Sequence, residues 1–424
     1  MRIIADLHLH SKYSRATSKQ MDVEHLYSAA LRKGIGLMAT GDFTHPQYLK
    51  ELREKLVEDG TGLLKLRDSS PVSHGTQNDN APRFILSGEI SCIYRHKEKT
   101  RRLHILILVP NFDAVDRLNA ELVKRGCNLK SDGRPIIGLS AKELLKICLS
   151  VDERIMVIPA HAWTPWFAIF GSKSGYDSIE ECFEELSPNI FAIETGLSSD
   201  PAMNWRLSAL DGVSFISNSD AHSPDNVGRE ANVFDLPSLT YDELRDALKN
   251  KNSKKFLSTV EFFPEEGMYH WDGHSKCKFS CAPADSLKMK NICPVCKKEM
   301  TLGVEHRVEK LADRSVGFVP AGAVPFVSLI PLREIIAECL GRQKKTKGVE
   351  AIYEKMIAAR GELEILMSAP FEEIKKIADA NIAEAIARMR DGKVYRKPGF
   401  DGEYGIISVF SPEEKEKMKQ GKMF

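Results

Sequence analysis

Two pairs of potential metal ligands stand two residues apart, each at the end of an apolar run. His8 and His10 end a run near the N-terminus, and Asp220 and His222 end a second run much later in the chain. In a strand, residues i and i+2 project from the same face, so each pair presents two ligands to one point where the backbone leaves the sheet. The spacing therefore predicts two halves of a metal centre.

The elements that must position these ligands are short apolar runs rich in β-branched residues, separated by amphipathic stretches at helical spacing. Alternation of this kind favours a parallel sheet with helices on its faces. Seven such runs precede residue 220: 3–9, 35–40, 84–89, 103–109, 155–159, 190–194 and 213–217.

Metal-ligating side chains occur at or near the ends of these runs. Barrel enzymes place their chemistry at the carboxyl ends of parallel strands, so we expect these side chains to face one cavity. The pattern predicts an α/β fold, a TIM-like (β/α)7 barrel of seven strands. Glu194 is either part of the catalytic set or holds an imidazole in place. The residues concerned are His8, His10, Asp42, His45, Glu89, His104, His161, Glu194, Asp220 and His222.

Imidazoles combined with carboxylates suit Zn or Mn, and these ligands outnumber what one ion accepts. We therefore expect two or three divalent ions (Zn, Mn or Mg), with Glu89 or Asp220 best placed to bridge them. Such a centre activates water and stabilises the oxygens of a phosphoryl displacement, which makes phosphoester hydrolysis the predicted reaction. The expected catalytic residues are His8, His10, Glu89, Glu194 and Asp220.

Four of the nine cysteines form a separate cluster, Cys277, Cys281, Cys293 and Cys296. The chain shows no secretion signal, and cysteines spaced in this way then indicate zinc before disulfides. Four thiolates close a tetrahedral site and leave no position for water, so we expect one structural zinc. In an alternative set of ligands, His274 takes the place of Cys281.

Composition narrows the class of protein. The 424 residues are 42% hydrophobic and 28% charged, typical of a globular protein, and the net charge of +1 requires any nucleic-acid contact to come from local patches. No run approaches the ~20 apolar residues of a membrane helix, so the cytoplasm is the expected location. The character of the sequence changes twice, which predicts a barrel over 1–260, a zinc-binding module over 261–315 and a mainly helical C-terminal domain over 316–424.

Several motifs together resemble the polymerase and histidinol phosphatase (PHP) superfamily. They are the His-x-His start, the Gly-Asp-Phe-Thr-His-Pro loop around Asp42, the Ser-Gly-Glu-Ile strand end, Pro-Ala-His161 and Ser-Asp-Ala-His222. The resemblance implies a seven-stranded barrel with three metals that hydrolyses phosphoesters. Many members have a further His where this chain has residues 14–18, and Asp-His where it has Asp42-Phe43, so His45 is the expected substitute at the third metal.

The zinc module and helical tail extend the resemblance along essentially the whole chain, to the endonuclease Q family. That resemblance implies a metal-dependent endonuclease that nicks DNA 5′ to deaminated bases such as uracil, hypoxanthine and xanthine, and to abasic sites. Two rival functions remain: a small-molecule phosphatase of the histidinol-phosphate type, and a DNA-binding scaffold without catalysis.

Two segments are expected to contact such a substrate. A damaged base must leave the stack and be enclosed, and the aromatic loop over 160–176 offers walls from Trp163, Trp166 and Phe167, with Ser172, Lys173 and Ser174 for a base edge or a phosphate. Directly after the first ligand pair, Lys12, Tyr13 and Arg15 are placed to contact a phosphate. The last residues, 420–424, are either an apolar hook for a sliding clamp or a frayed terminus.

Overall fold

The computed structural model describes residues 1–67 and 81–419, and the proposed clamp hook at 420–424 lies outside them. The chain divides into two compact units. The first contains residues 1–31, 35–260 and 310–326, and the second contains 32–34, 261–309 and 327 onward. Within the described ranges, no helix combines the length and apolarity that a bilayer crossing requires.

The first unit alternates strands and helices. Its strands are Arg2–Asp6 (β1), Leu37–Ala39 (β2), Leu56–Glu58 (β3), Leu64–Leu66 (β4), Arg83–His96 (β5), Lys99–Val109 (β6), Ile136–Ile137 (β7), Met156–Pro159 (β8), Ala192–Glu194 (β9), Ser214–Ile216 (β10), Ala231–Asp235 (β11) and Phe256–Glu261 (β12). Its helices are Val23–Lys33 (α1), Pro46–Lys55 (α2), Phe112–Lys124 (α3), Ala141–Val151 (α4), Ile179–Phe183 (α5), Pro201–Asn204 (α6) and Tyr241–Lys249 (α7).

All seven predicted runs contain strands, β1, β2, β5, β6, β8, β9 and β10, but their directions differ from a purely parallel sheet. Strands β1, β2 and β5 are parallel neighbours, as are β9 and β10. Strand β6 instead runs antiparallel to β5 and to β8. Its amino-terminal half therefore lies beside the later part of β5, where His104 pairs with Ser91.

Several helices of the first unit begin at side chains that accept backbone N–H groups. Asn111, Ser140 and Thr240 cap α3, α4 and α7 in this way, each accepting from the residue three positions on. The apolar face of each helix is buried, as with Val115 and Leu118 of α3. The helices of the first unit thus contribute mainly apolar side chains to the core, and the polar groups of the site come from the segments at the strand ends.

The second unit combines a small hairpin with packed helices. The hairpin strands are Asp272–His274 (β13) and Phe279–Cys281 (β14). The other elements are Pro283–Lys288 (α8), Val304–Leu311 (α9), Phe326–Ser328 (β15), Leu332–Leu340 (α10), Lys347–Ala359 (α11), Glu362–Met367 (α12), Phe371–Ile377 (α13), Ala380–Arg390 (α14), Tyr395–Lys397 (β16), Ile406–Ser408 (β17) and Pro412–Lys419 (α15). Five helices, α10 to α14, lie between residues 332 and 390.

Candidate metal centre

The two predicted half-sites lie side by side. The Asp220 N–H donates to the His8 carbonyl (3.0 Å) and the His10 N–H donates to the Ala221 carbonyl (3.1 Å), so the segments after β1 and β10 run together. This pairing brings side chains from both segments to one point. The ligand atoms of His8, His10 and Asp220 lie within 4.8 Å of one another.

Glu89, on β5, joins this group to a second one formed with His104 and His161. Its Oε1 lies 2.9 Å from His104 Nδ1 and 3.2 Å from His161 Nε2. Its Oε2 lies 3.3 Å from His10 Nε2. A carboxylate with one oxygen toward each group has the geometry of a bridge between two cations.

Two further carboxylates contact imidazoles of the centre on the side away from the ligand groups. Glu194 contacts His8 Nδ1 at 3.0 Å and also accepts the His161 N–H at 2.8 Å. Asp42 contacts His10 Nδ1 at 3.1 Å, and Ser11 and Ser14 donate to its second oxygen. Neither carboxylate belongs to the two ligand groups. Both are placed to orient a ligand and fix its tautomer.

The donor atoms at the centre fit divalent cations. His8 Nε2, His10 Nε2 and Asp220 Oδ1 are buried and make no hydrogen bond of normal geometry among the described residues. Buried polar atoms are nearly always bonded, and three such atoms converging on one point indicate an ion as their partner. Imidazole nitrogens and carboxylate oxygens suit Zn or Mn.

The protonation states suit metal ligands in different ways. Burial lowers the pKa of His104 to about 4, so its imidazole is neutral. Burial opposes ionisation of Asp220, but the imidazole of His10 at 3.1 Å and the charge of His8 hold its pKa below the usual range. Burial alone would lower the pKa of His8, but Glu194 above all raises it to about 9, so a cation must displace a proton there.

The backbone is strained at three positions around the centre. Asp42, His161 and Asp220 have φ angles of 44°, 30° and 46°, in the left-handed region that disfavours residues with a Cβ. Such conformations concentrate at functional sites, where the surrounding structure enforces them. The tight turns let these side chains leave their strand ends toward the same cavity.

Besides Asp42, two other predicted ligands lie outside both groups. His222 sits at the rim, with Nδ1 2.8 Å from the Asp220 carbonyl and its ring 4.6 Å from that of His10. His45 precedes α2 and stacks on Tyr13 at 4.4 Å between ring centroids. Ser14, where many PHP members have a histidine, hydrogen-bonds Asp42.

The residues predicted to contact a phosphate near the first ligand pair have partners in the protein. Lys12 pairs with Glu51 at 2.9 Å, and the Tyr13 hydroxyl donates to the same carboxylate at 2.5 Å. This bond raises the pKa of Tyr13 to about 12. Arg15 is exposed and lies 3.3 Å from Asp132.

The aromatic loop divides into buried and exposed parts. Trp163 is buried, and its Nε1 donates to Asn204. Phe167 packs against His104 at 4.7 Å between ring centroids. Ser174 is buried, accepts the Phe167 N–H and donates to a β6 carbonyl. The residues of the loop that remain exposed to a substrate are Trp166, Ser172 and Lys173.

Sequence reasoning did not single out several groups that contact the centre. Arg134 Nη1 lies 3.0 Å from Glu89 Oε2, and the Asn218 side chain donates to Glu194 at 2.9 Å. Arg134 comes from a polar loop without a recognisable spacing. Asn218 precedes Asp220 by two residues, and that spacing was the signal available for it.

The second unit holds a thiol cluster with one histidine. The ligand atoms of His274, Cys277, Cys293 and Cys296 lie within 4.8 Å of one another, which is the alternative set predicted from the sequence. Cys281 is outside the group. It pairs with Asp272 across the hairpin, two residues or about 7 Å along the strand from His274.

Comparisons with known proteins cover the whole chain. The crystal structure of the lesion-specific endonuclease PfuEndoQ from Pyrococcus furiosus matches with a TM-score of 0.84 and 31% identity, over 99% of each chain. A structure of endonuclease Q in complex with a 27-mer duplex that has an abasic lesion at the active site matches with a TM-score of 0.82 and 32% identity, over 98% of each chain.

Sequence relatives and family models extend these matches. The uncharacterized protein YqxK of Bacillus subtilis is 27% identical over 96% of this chain and 99% of its own length. The protein MJ0043 of Methanocaldococcus jannaschii is 34% identical over 60% of this chain, and the match spans about a third (32%) of that protein. Residues 205–253 match the PHP-associated model, and residues 331–393 match the model of the MJ0043 C-terminal domain.

Proposed function

The chain belongs to the endonuclease Q family, with the PHP-type α/β fold, and from that premise we propose that it is a DNA repair endonuclease. It hydrolyses a phosphodiester bond on the 5′ side of uracil, hypoxanthine, xanthine or an abasic site. The observation that carries the proposal is the pair of ligand groups joined by Glu89, on a chain that matches endonuclease Q over its full length.

The proposed centre holds two divalent cations, Zn, Mn or Mg, which would activate water and stabilise charge on the phosphate oxygens. His8, His10 and Asp220 would hold one cation, His104 and His161 the other, and Glu89 both. Glu194 and Asp42 orient His8 and His10. The residues expected at a third metal have other partners: two serines donate to Asp42, and His45 stacks on Tyr13. We therefore propose two cations and not three.

Residues 1–260 would form a closed barrel of seven strands, 261–315 a module with a structural zinc, and 316–424 a helical domain. The enzyme would act in the cytoplasm, and its last residues, 420–424, would be either a hook for a sliding clamp or a frayed terminus.

One assay separates the proposal from its rivals. We expect the protein, with Mn or Mg, to nick an end-labelled duplex at the bond 5′ to a single uracil or abasic site, and Asp220→Ala to abolish nicking. Asp113→Ala, at an exposed position on α3, is the control and keeps activity. Hydrolysis of a simple phosphomonoester alone would instead indicate a phosphatase, and binding without either activity a scaffold.

The flipped base would lie beside the exposed part of the aromatic loop. Phe167 offers flat apolar surface close to His104, its neighbour Trp166 offers an exposed indole, and Lys173 offers an exposed cation. Lys173→Ala should lower nicking of a uracil duplex several-fold, because one charge-assisted hydrogen bond is lost. Unchanged nicking would remove Lys173 from the substrate site.

A further inference from the structure

Arg134 brings a positive charge to the central carboxylate. Its Nη1 lies 3.0 Å from Oε2 of Glu89, and 27% of its side chain is exposed, whereas that of Glu89 is fully buried. A guanidinium has five N–H donors, and the ion pair with Glu89 is one contact from one nitrogen. Donors therefore remain on the open side of the cluster.

The loop that carries Arg134 is fixed against the centre by its neighbours. The Gly133 N–H donates to the Tyr13 carbonyl at 3.0 Å, and the Ser91 N–H donates to the Pro135 carbonyl at 3.0 Å. A Cβ on Gly133 would overlap Asp42, so the loop approaches as closely as a backbone can. Arg134 thus starts from a rigid position, which suits a group that must bind with defined geometry.

A role limited to neutralising Glu89 does not explain this cation. His10, His104 and His161 already surround both oxygens of Glu89 at 2.9–3.3 Å. Once cations occupy the centre, a guanidinium beside them is repelled, so stability alone would disfavour it. An anion that binds both the cations and Arg134 removes that conflict.

The charges of the cluster identify the class of that anion. Among the described residues, the carboxylates in contact with the imidazoles are Asp42, Glu89, Glu194 and Asp220, and together they balance two divalent cations. Arg134 then leaves one positive charge uncompensated. A phosphodiester carries one negative charge, and guanidinium groups bind phosphate oxygens in pairs.

We propose that Arg134 binds the scissile phosphodiester directly, beside the cations, on the open rim that it shares with Asp220 and His222. The side chains of Arg134, Asp220 and His222 are 27%, 28% and 30% exposed, so each is partly accessible from solvent. This assignment rests on the proposed endonuclease function and adds to it the residue that recognises the reacting phosphate.

The test pairs a charge deletion in the protein with one in the DNA. Binding is measured by fluorescence anisotropy, with Ca in place of Mn to prevent cleavage, on two abasic duplexes. One has a normal phosphodiester 5′ to the lesion, and the other an uncharged methylphosphonate there. Arg134→Gln should weaken binding to the charged duplex on the order of 10- to 100-fold and leave binding to the uncharged duplex unchanged. Arg134→Lys should restore part of the loss.

Nicking in Mn gives the second readout, where Arg134→Gln should lower kcat on the order of 100-fold. Arg125→Gln, at an exposed position of the same connection and paired with Glu121, is the matched control. Circular dichroism melting of each variant shows whether it folds. Equal loss on both duplexes, or no loss, would overturn the assignment while wild-type nicking leaves the proposed function intact. Absence of wild-type nicking on every lesion would remove both.

Discussion

Each imidazole of the first ligand group uses its two nitrogens for different purposes. In His8 and His10 the Nδ1 atom faces a carboxylate, Glu194 or Asp42, and the Nε2 atom faces Glu89 and Asp220. A carboxylate on Nδ1 keeps the proton on that nitrogen and leaves the Nε2 lone pair for a cation. The negative charge of the carboxylate at Nδ1 also makes Nε2 a stronger electron-pair donor to a cation.

Removing that charge without removing the hydrogen bond should weaken the metal centre. Glu194→Gln and Asp42→Asn still accept from Nδ1, but we expect their affinity for Zn or Mn to fall roughly 10- to 100-fold. The measurement is a chelator-competition titration of metal-free protein. Asp22→Asn, which alters a carboxylate bound to the surface residue His25, should change nothing. Wild-type affinity in both site variants would refute the orienting role.

At the scale of the elements, the sequence pattern predicted some features of the fold and not others. The seven apolar runs predicted the strands, and the i, i+2 spacing predicted that His8, His10 and Asp220 converge, because both depend on local periodicity. His222, the other member of the second pair, lies outside the group. The direction of β6 was not predictable, because an apolar run reads alike in either direction. Its hairpin turns at Lys97 and Glu98, both at positive φ, without the Asn-Gly signature of such turns. Arg134 was missed because a distant loop delivers it.

The hairpin of β13 and β14 decides which residue completes the thiol site. His274 Nδ1 lies 3.1 Å from the Cys277 sulfur and 3.2 Å from that of Cys296. The Cys296 N–H above all lowers the pKa of Cys293 to about 7. Burial raises the pKa of both Cys277 and Cys281 to about 11, so the positions of the sulfur atoms distinguish these two residues, with Cys277 inside the group and Cys281 outside it. The register thus favours three thiolates and one imidazole as ligands of the proposed zinc.

Substitution distinguishes the two ligand sets. We expect His274→Ser to lower the zinc bound by the second unit and to lower its melting temperature, because a structural zinc contributes directly to folding. Cys281→Ser should retain both. In cobalt-substituted protein the thiolate charge-transfer band should have the intensity of three thiolates. The opposite ranking of the two variants would restore Cys281 as the fourth ligand.

At the scale of the whole molecule, a net charge of +1 provides little general attraction to DNA. Affinity that comes from a uniform basic surface falls steeply with salt, and this chain lacks the charge for it. In the proposed function, recognition would then come from particular groups: the metal centre, Arg134 and the exposed part of the aromatic loop. A chain organised in this way can leave undamaged DNA weakly bound and retain a damaged site.

The stability of the chain should fall in mild acid because of a buried histidine in the second unit. Burial lowers the pKa of His270 from 6.5 to about 4, so below pH 6.5 the unfolded chain takes up a proton there that the folded chain refuses until about pH 4. The contribution of the neutral, buried imidazole to the free energy of unfolding is therefore complete above pH 6.5 and is lost as the pH falls. Between pH 7 and pH 5 this loss is about 2 kcal/mol.

His270→Gln should remove that component, so the difference in free energy of unfolding between wild type and variant should shrink by about 2 kcal/mol from pH 7 to pH 5. Urea denaturation at the two pH values measures it. Because both proteins keep the same thiol cluster, its own proton uptake cancels in the difference. Gln20→Ala, at an exposed position without a titratable group, serves as the control, with the same difference at both pH values. A difference that stays constant for His270→Gln as well would mean that the folded chain accommodates the protonated imidazole.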